Sequence, residues 1–180
     1  MNLIQTTTQS CFAVAFAVAT LLSSCVTAGP EKDIDKTVYE VQAAYKRTFD
    51  IIGVNLKIDH NTSSRENVTS EKKDRDWKIT IYDGFVKHPL INKNAVKLAL
   101  CHEVGHLLGP KDDNALYADE KLSDVYAVVS CSEVLGMSKA RLSNAIESLN
   151  AWYKIYPVAY GYPTVSERWE IMLFTLAHLK

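Results

Sequence analysis

The sequence lacks an excess of charge of either sign. Lysine and arginine together number 20 and aspartate and glutamate 21, so the formal net charge is -1. Proteins that bind nucleic acids carry a basic surface that attracts the phosphate backbone. The sequence contains no basic block and no motif of nucleic-acid recognition. We therefore exclude DNA and RNA as partners.

The sequence also lacks a hydrophobic run long enough to span a membrane. The uncharged apolar run from Phe12 to Leu22 is roughly half as long as a transmembrane helix, which needs ~20 residues. No later run is of similar length. A short apolar run near the start of a chain is typical of a signal peptide. We therefore expect residues 1–24 to be a signal peptide and residues 25–180 to be one exported domain.

Two cleavage sites fit the residues after this run. Leu22-Ser23-Ser24-Cys25 resembles the bacterial lipobox, which would give an acylated Cys25 and a lipid anchor on the periplasmic face of a bacterial membrane. The first ten residues contain no Lys or Arg, although signal peptides usually begin with positive charge. Cleavage after Val26-Thr27-Ala28 would instead release a soluble periplasmic or secreted protein. Both alternatives place the domain outside the cytoplasm.

Cysteine is scarce, with four residues in the chain. Cys11 is lost with the signal peptide, and Cys25 is either acylated or removed. Cys101 and Cys131 remain, in an oxidising compartment where a disulfide persists. These two cysteines are predicted either to form a disulfide or to stay as buried free thiols.

Five helices are predicted from the spacing of apolar residues. These residues recur every three or four positions, as on the buried face of an amphipathic helix, and several segments end at glycine or proline. Thr164 and Glu167 have the spacing of a capping box, which marks the start of the last helix. The predicted helices cover residues 32–52, 92–108, 118–135, 138–156 and from 164 onward.

Two strands are predicted early in the chain. Apolar and polar residues alternate over Val54–Ile58 and again over Trp77–Ile81, which is the pattern of a strand with one buried face. We expect the two strands to pair as a hairpin. The polar segment from His60 to Asp76 is predicted to be an exposed loop without chemistry. The predicted fold is therefore α+β, mostly helical, with a small antiparallel sheet.

His102, Glu103 and His106 form the sequence H-E-x-x-H on a predicted helix. The histidines are four residues apart, so both imidazoles project from one face and can bind one metal ion. Zinc suits two imidazoles and a carboxylate, and it acidifies a water molecule at the open position. Glu103 is then the natural general base. The alternative, a pair of surface histidines, is disfavoured by the apolar residues around them.

Two residues could supply the third ligand. Glu120 lies four residues before Asp124 on the next predicted helix, so Glu120 could bind the metal while Asp124 accepts a hydrogen bond from a ligand histidine. Asp112 is the rival, because residues 102–112 also fit the metzincin-like spacing H-E-x-x-H-x-x-G-x-x-D. That reading also needs a Met-turn, for which Met137 is a loose candidate. Glu120 is favoured as the third ligand, because Asp124 supplies the acceptor for a ligand histidine.

These residues resemble the gluzincin zinc peptidases of the HtpX and CAAX prenyl protease type. The likeness rests on His102-Glu103-x-x-His106, on Glu120-x-x-x-Asp124, and on Tyr162-Pro163 followed by Arg168. It covers about residues 77–170. The family usually has histidine where this chain has Tyr162, and it carries transmembrane helices that this chain lacks. The resemblance points to a compact, exported form with a zincin-like active-site helix.

The resemblance implies a set of roles for these residues. Glu120 would be the third zinc ligand and Asp124 its neighbour, and Tyr162 or Arg168 would help to hold the oxyanion. An edge strand ahead of the motif helix would bind the substrate in extended form, a role that would fall to Trp77–Tyr82. The chain is thus expected to be an exported zinc-dependent endopeptidase acting on proteins or peptides. The alternative is a catalytically silent zinc-binding lipoprotein that binds a protein partner.

Overall fold

The computed structural model describes residues 30–109, 116–156 and 161–180. The predicted signal peptide, Cys25 and Asp112 lie outside these residues. No helix in the described ranges combines the length and the apolar character needed to cross a bilayer. The elements in chain order are α1 (Pro30–Ile51), β1 (Asn55–Asn61), β2 (Val68–Lys73), β3 (Asp76–Tyr82), the one-turn helix α2 (Asp83–Val86), α3 (Lys93–Leu108), α4 (Leu116–Glu133), α5 (Lys139–Tyr153) and α6 (Val165–His178).

The predicted fold class is confirmed, since the described residues form a mostly helical α+β fold with one small sheet. The sheet is mixed, in the order β1-β3-β2. β3 pairs parallel with β1 and antiparallel with β2. The predicted hairpin between β1 and β3 is therefore wrong. Parallel neighbours need a crossover connection, and the chain forms β2 on the way from β1 to β3.

The segment predicted to be a loop contains the strand β2. Val68 is the only buried residue in this strand, and the other positions are polar. A strand is recognised in a sequence by alternation of apolar and polar residues. Because β2 has one apolar residue, that signal is missing, and the strand is held by its backbone pairing with β3.

The stripe predicted for α1 is buried. Val41, Tyr45 and Phe49 are almost fully inaccessible in the core. Ile52, the last residue of the predicted helix, is 48% exposed. The helix ends at Ile51, and Gly53 then turns the chain with a φ of 69°, a conformation that glycine adopts without strain.

Helix α3 crosses the centre of the core. It begins after Asn92, whose side chain accepts a hydrogen bond from the Ala95 N–H at 2.9 Å. Asn92 is thus an N-cap, which satisfies a backbone donor that has no partner within the helix. The helix packs against α1, α4, α5, β2 and β3. This placement puts the H-E-x-x-H residues in the interior of the domain.

Helices α3 and α4 approach each other closely beside the histidines. A Cβ atom at Gly105 would lie 3.0 Å from the Cα of Ser123, so the backbones could not come this close around a larger residue. A disulfide joins Cys101 of α3 to Cys131 of α4, with their Cα atoms 6.1 Å apart. The structure thus has the first of the two cysteine states predicted from the sequence. Both features fix α4 against α3.

Candidate metal centre

Three side chains from α3 and α4 converge on one point. His102 and His106 lie one turn apart on α3, and their Nε2 atoms are 2.9 Å apart. The Glu120 carboxylate of α4 lies 3.3 Å from each of these nitrogens. One potential ligand atom from each residue therefore lies within 4.8 Å of the others, and the group could hold a metal ion.

Asp124 and Arg168 form a buried layer behind His102. The Asp124 Oδ1 atom is 2.9 Å from His102 Nδ1, the ring nitrogen that faces away from the other ligands. Arg168 of α6 donates two hydrogen bonds to the Asp124 carboxylate, at 2.7 and 2.8 Å. This arrangement fixes the orientation of the imidazole, as carboxylates commonly do for histidines that bind a metal.

Asp119 and Ser123 hold the second histidine, and the sequence analysis missed both. Asp119 Oδ2 is 2.7 Å from His106 Nδ1, and the Ser123 hydroxyl is 3.1 Å from the same nitrogen. Asp119 stands four residues before Ser123, the spacing that also separates Glu120 from Asp124. This repeated spacing on α4 is the signal in the sequence that could have identified them.

The charges of these groups reinforce one another. Burial alone would lower the pKa of His102, but its hydrogen bonds with Asp124 and Glu120 raise that pKa to about 9. Burial opposes ionisation of Glu120, yet its contacts with His102 and His106 hold the pKa of this carboxyl far below its usual value. The carboxylates of Asp124 and Glu120 thus favour the protonated form of His102, and the two histidines favour the ionised form of Glu120.

Glu103 of α3 lines the cavity that contains the two histidines. Burial raises the pKa of Glu103, and the positive charge of His102 and a hydrogen bond from Ser70 oppose this increase. Ser70 belongs to β2, so the edge strand runs past the carboxyl group. Glu103 thus places a carboxyl group in the same cavity as the candidate metal ligands.

The cavity has a volume of about 630 Å³ and is lined by residues of β2 and of helices α2 to α6. Five residues of the segment Asn67–Lys72 line it, whereas none of Trp77–Tyr82 does. The expectation that Trp77–Tyr82 would be the edge strand is wrong, because β3 is the central strand of the sheet. Among the described strands, β2 is the sheet edge that borders the cavity.

Tyr153 and Tyr162 also line this cavity. The ring of Tyr153 is stacked against the Arg168 guanidinium, whose Cζ atom is 4.5 Å from the ring centroid. Burial raises the pKa of Tyr153, which keeps its hydroxyl protonated. Tyr162 is 38% exposed and stands at the rim. Tyr153 is thus a third candidate for holding an oxyanion, beside Tyr162 and Arg168, the two that the resemblance implies.

The donor set fits a divalent cation in both chemistry and charge. Three carboxylates, those of Asp119, Glu120 and Asp124, face the histidines, and the guanidinium of Arg168 neutralises one of them. Two negative charges remain when the histidines are neutral, and a divalent ion would offset both. Comparison of the chain with protein-family models, curated proteins and solved structures finds no match.

Proposed function

We propose that this protein is an exported zinc-dependent endopeptidase. The observation that carries the proposal is the position of Glu103 beside the group His102, His106 and Glu120, in a cavity that borders the edge strand β2. Two imidazoles, one carboxylate and an open position are the ligand set of a catalytic zinc site. A structural zinc site would use all four positions for protein ligands.

Zinc in such a site acts as a Lewis acid, because it acidifies a water molecule and polarises a carbonyl group. His102, His106 and Glu120 would hold the ion, while Asp124 and Asp119 keep the two imidazoles in place. Glu103 would accept a proton from the attacking water and pass it to the leaving amine. Its raised pKa suits this exchange, since a general base works best when its pKa approaches the working pH.

The edge of β2 offers a binding place for an extended peptide. The Tyr82 N–H donates to the Asn67 carbonyl at 3.3 Å, so these opposed residues form a hydrogen-bonded pair. In an antiparallel ladder such pairs alternate with pairs that do not bond. The backbone groups of Val68, Ser70 and Lys72 therefore point away from β3. A substrate strand that pairs with them would pass Glu103, in the mode called strand addition.

Arg168 is engaged by the carboxylates of Asp124 and Glu120. We therefore assign it a positioning role, in which it fixes Asp124 and through it His102. An oxyanion formed during peptide hydrolysis needs a hydrogen-bond donor that is available in the cavity. Tyr153 and Tyr162 both meet this requirement, and the Arg168 charge beside Tyr153 would strengthen its hydroxyl as a donor.

The disulfide between Cys101 and Cys131 supports an exported location. Disulfides persist in oxidising compartments and are rare in the cytosol. Export would follow from the signal peptide proposed at residues 1–24. A lipid on Cys25 would retain the domain at a bacterial membrane. Replacing Cys25 with serine should then move the protein from the membrane fraction to the soluble fraction.

Cleavage of unfolded casein by the purified domain tests the activity. Glu103→Gln should keep the metal and lower the rate by on the order of 10²-fold or more, because it removes the base but no ligand. Glu133→Gln is the matched control, since Glu133 is an exposed residue on α4, and it should leave the rate unchanged. Cleavage should also stop when a chelator removes the metal. A Glu103→Gln variant that cuts as fast as its parent would refute the mechanism.

A further inference from the structure

One end of the cavity is built from apolar side chains. Trp152 of α5 and Tyr156, three residues beyond the end of α5, have ring centroids 4.7 Å apart, and Phe85 of α2 meets Trp152 edge-on at 5.2 Å. Leu149, one turn before Trp152 on α5, and Ala99 of α3 line the same cavity. These residues come from three separate elements, yet all border the same cavity as the candidate metal ligands.

This apolar end lies next to the centre of the proposed reaction. Ala99 is three residues before His102 and four before Glu103 on α3. Residues at these spacings lie on the same face of a helix. A substrate side chain bound in the apolar end would therefore belong to a residue next to the peptide bond that is held at Glu103.

The side chains that form this end carry no charge, and Arg168, which also lines the cavity, is already paired with Asp124 and Glu120. The lysine that lines the cavity, Lys72, donates to the Gly109 carbonyl at 3.4 Å. Gly109 is ten residues beyond Ala99 on α3, or about 15 Å along the helix axis. A buried charge without a partner is strongly unfavourable. An acidic or basic side chain would therefore be rejected from the apolar end.

Trp152 provides a second observation. Trp152 lines the cavity and is 8% exposed, while its indole N–H is inaccessible and has no acceptor among the residues that the structure describes. A bound side chain would therefore contact the apolar surface of the ring and not its N–H.

We propose that this apolar end, formed by Phe85, Ala99, Leu149, Trp152 and Tyr156, is a specificity subsite for a large apolar side chain of the substrate. The proposal rests on the proposed peptidase function and adds a substrate class to it. The protein would cleave beside aromatic or branched aliphatic residues. Cleavage beside alanine would be slower, and cleavage beside aspartate or lysine slowest.

Binding of uncleaved peptides to the zinc-loaded Glu103→Gln variant tests the subsite without depending on turnover. The probes are ten-residue peptides of alanine and serine that carry phenylalanine, leucine, alanine or aspartate at one central position. Calorimetry should show the phenylalanine peptide binding at least about 10-fold more tightly than the alanine peptide, which is the discrimination an apolar pocket provides. The aspartate peptide should bind most weakly. Equal affinities for all four peptides would overturn the proposal.

Two further variants locate the preference. Ala99→Phe, added to the Glu103→Gln background, fills the apolar end and should abolish the preference for phenylalanine. Tyr156→Ala enlarges the same end and should reduce it. Phe174→Ala is the control, because Phe174 is 68% exposed on α6 and does not line the cavity. Preference that survives in both cavity variants would show that the subsite lies elsewhere.

The outcomes separate the two proposals. If the Glu103→Gln variant prefers phenylalanine but the parent cleaves no peptide, the subsite stands and the peptidase function fails. If the parent cleaves all four peptides equally well, the peptidase function stands and the subsite fails. Selective cleavage of the phenylalanine and leucine peptides by the parent would support both.

Discussion

The disulfide between α3 and α4 should stabilise both the domain and its metal centre. Cys101 directly precedes His102, and Cys131 lies seven residues beyond Asp124, about 10 Å along the helix. The bond therefore ties the helix that carries the histidines to the helix that carries Glu120. Replacing both cysteines with alanine should lower the melting temperature and weaken metal binding.

The size of the effect follows from the loop that the bond closes. The two cysteines are 30 residues apart, and a loop of this length corresponds to about 3.5 kcal/mol in the chain-entropy account of disulfide stabilisation. For a domain of this size, 1 kcal/mol shifts the melting temperature by about 2–4 °C. The expected decrease is therefore about 7–14 °C. Loss of the anchor should also weaken metal binding by on the order of 10-fold, as loss of a residue that orients a ligand does.

Thermal unfolding followed by circular dichroism, together with competition against a chelator, measures both effects. The parent protein refolded in the presence of a reductant is the matched control, because it keeps the two sulfur atoms and lacks only the bond. Both samples should melt lower than the oxidised parent. A decrease of less than about 2 °C in both, with unchanged metal affinity, would refute the anchoring role.

Four other predictions concern the packing of α3 against α4, the oxyanion donor and the protonation of His102. Gly105→Ala should lower the free energy of unfolding by about 1–3 kcal/mol, measured by urea denaturation, because the new methyl group would meet the backbone of Ser123 at 3.0 Å. Tyr153→Phe should reduce kcat by about 10²-fold with KM unchanged, and a larger loss in Tyr162→Phe would assign the donor to Tyr162 instead. Metal affinity, measured by calorimetry, should rise by roughly tenfold per pH unit between pH 7 and 9, because the metal must displace the proton of His102, whose pKa is about 9. In the metal-free protein the stability from this proton should be complete below pH 6.5 and lost as the pH rises through about 9.

The helices and the candidate metal ligands were predictable from the sequence because each has a local signal. Apolar residues repeat with the helical period in α1, α3 and α5, and the N-caps Ser138 and Thr164 are the residues at which two of the predicted helices begin. The histidines share a helix face by their spacing alone. Glu120 needed one further assumption, that the next helix packs against them, and the structure shows this contact.

The edge strand and the cavity walls were not predictable in this way. β2 is polar apart from Val68, because most of its side chains face solvent or the cavity rather than the core. Its pairing with β3 depends on contacts between distant parts of the chain. The same is true of Asp119, which contacts His106 only because α4 lies against α3. It is also true of the apolar end of the cavity, whose residues look like ordinary core residues in the sequence.

Metal content of the purified protein is the most direct test of the central claim, that His102, His106 and Glu120 form a metal centre. Inductively coupled plasma mass spectrometry should find close to one zinc per chain in the parent and in the control variant Glu133→Gln. Glu120→Gln should lower zinc well below one per chain, while Asp112→Asn should leave it unchanged. Loss of zinc in Asp112→Asn with retention in Glu120→Gln would contradict the account, and would favour the metzincin-like ligand set.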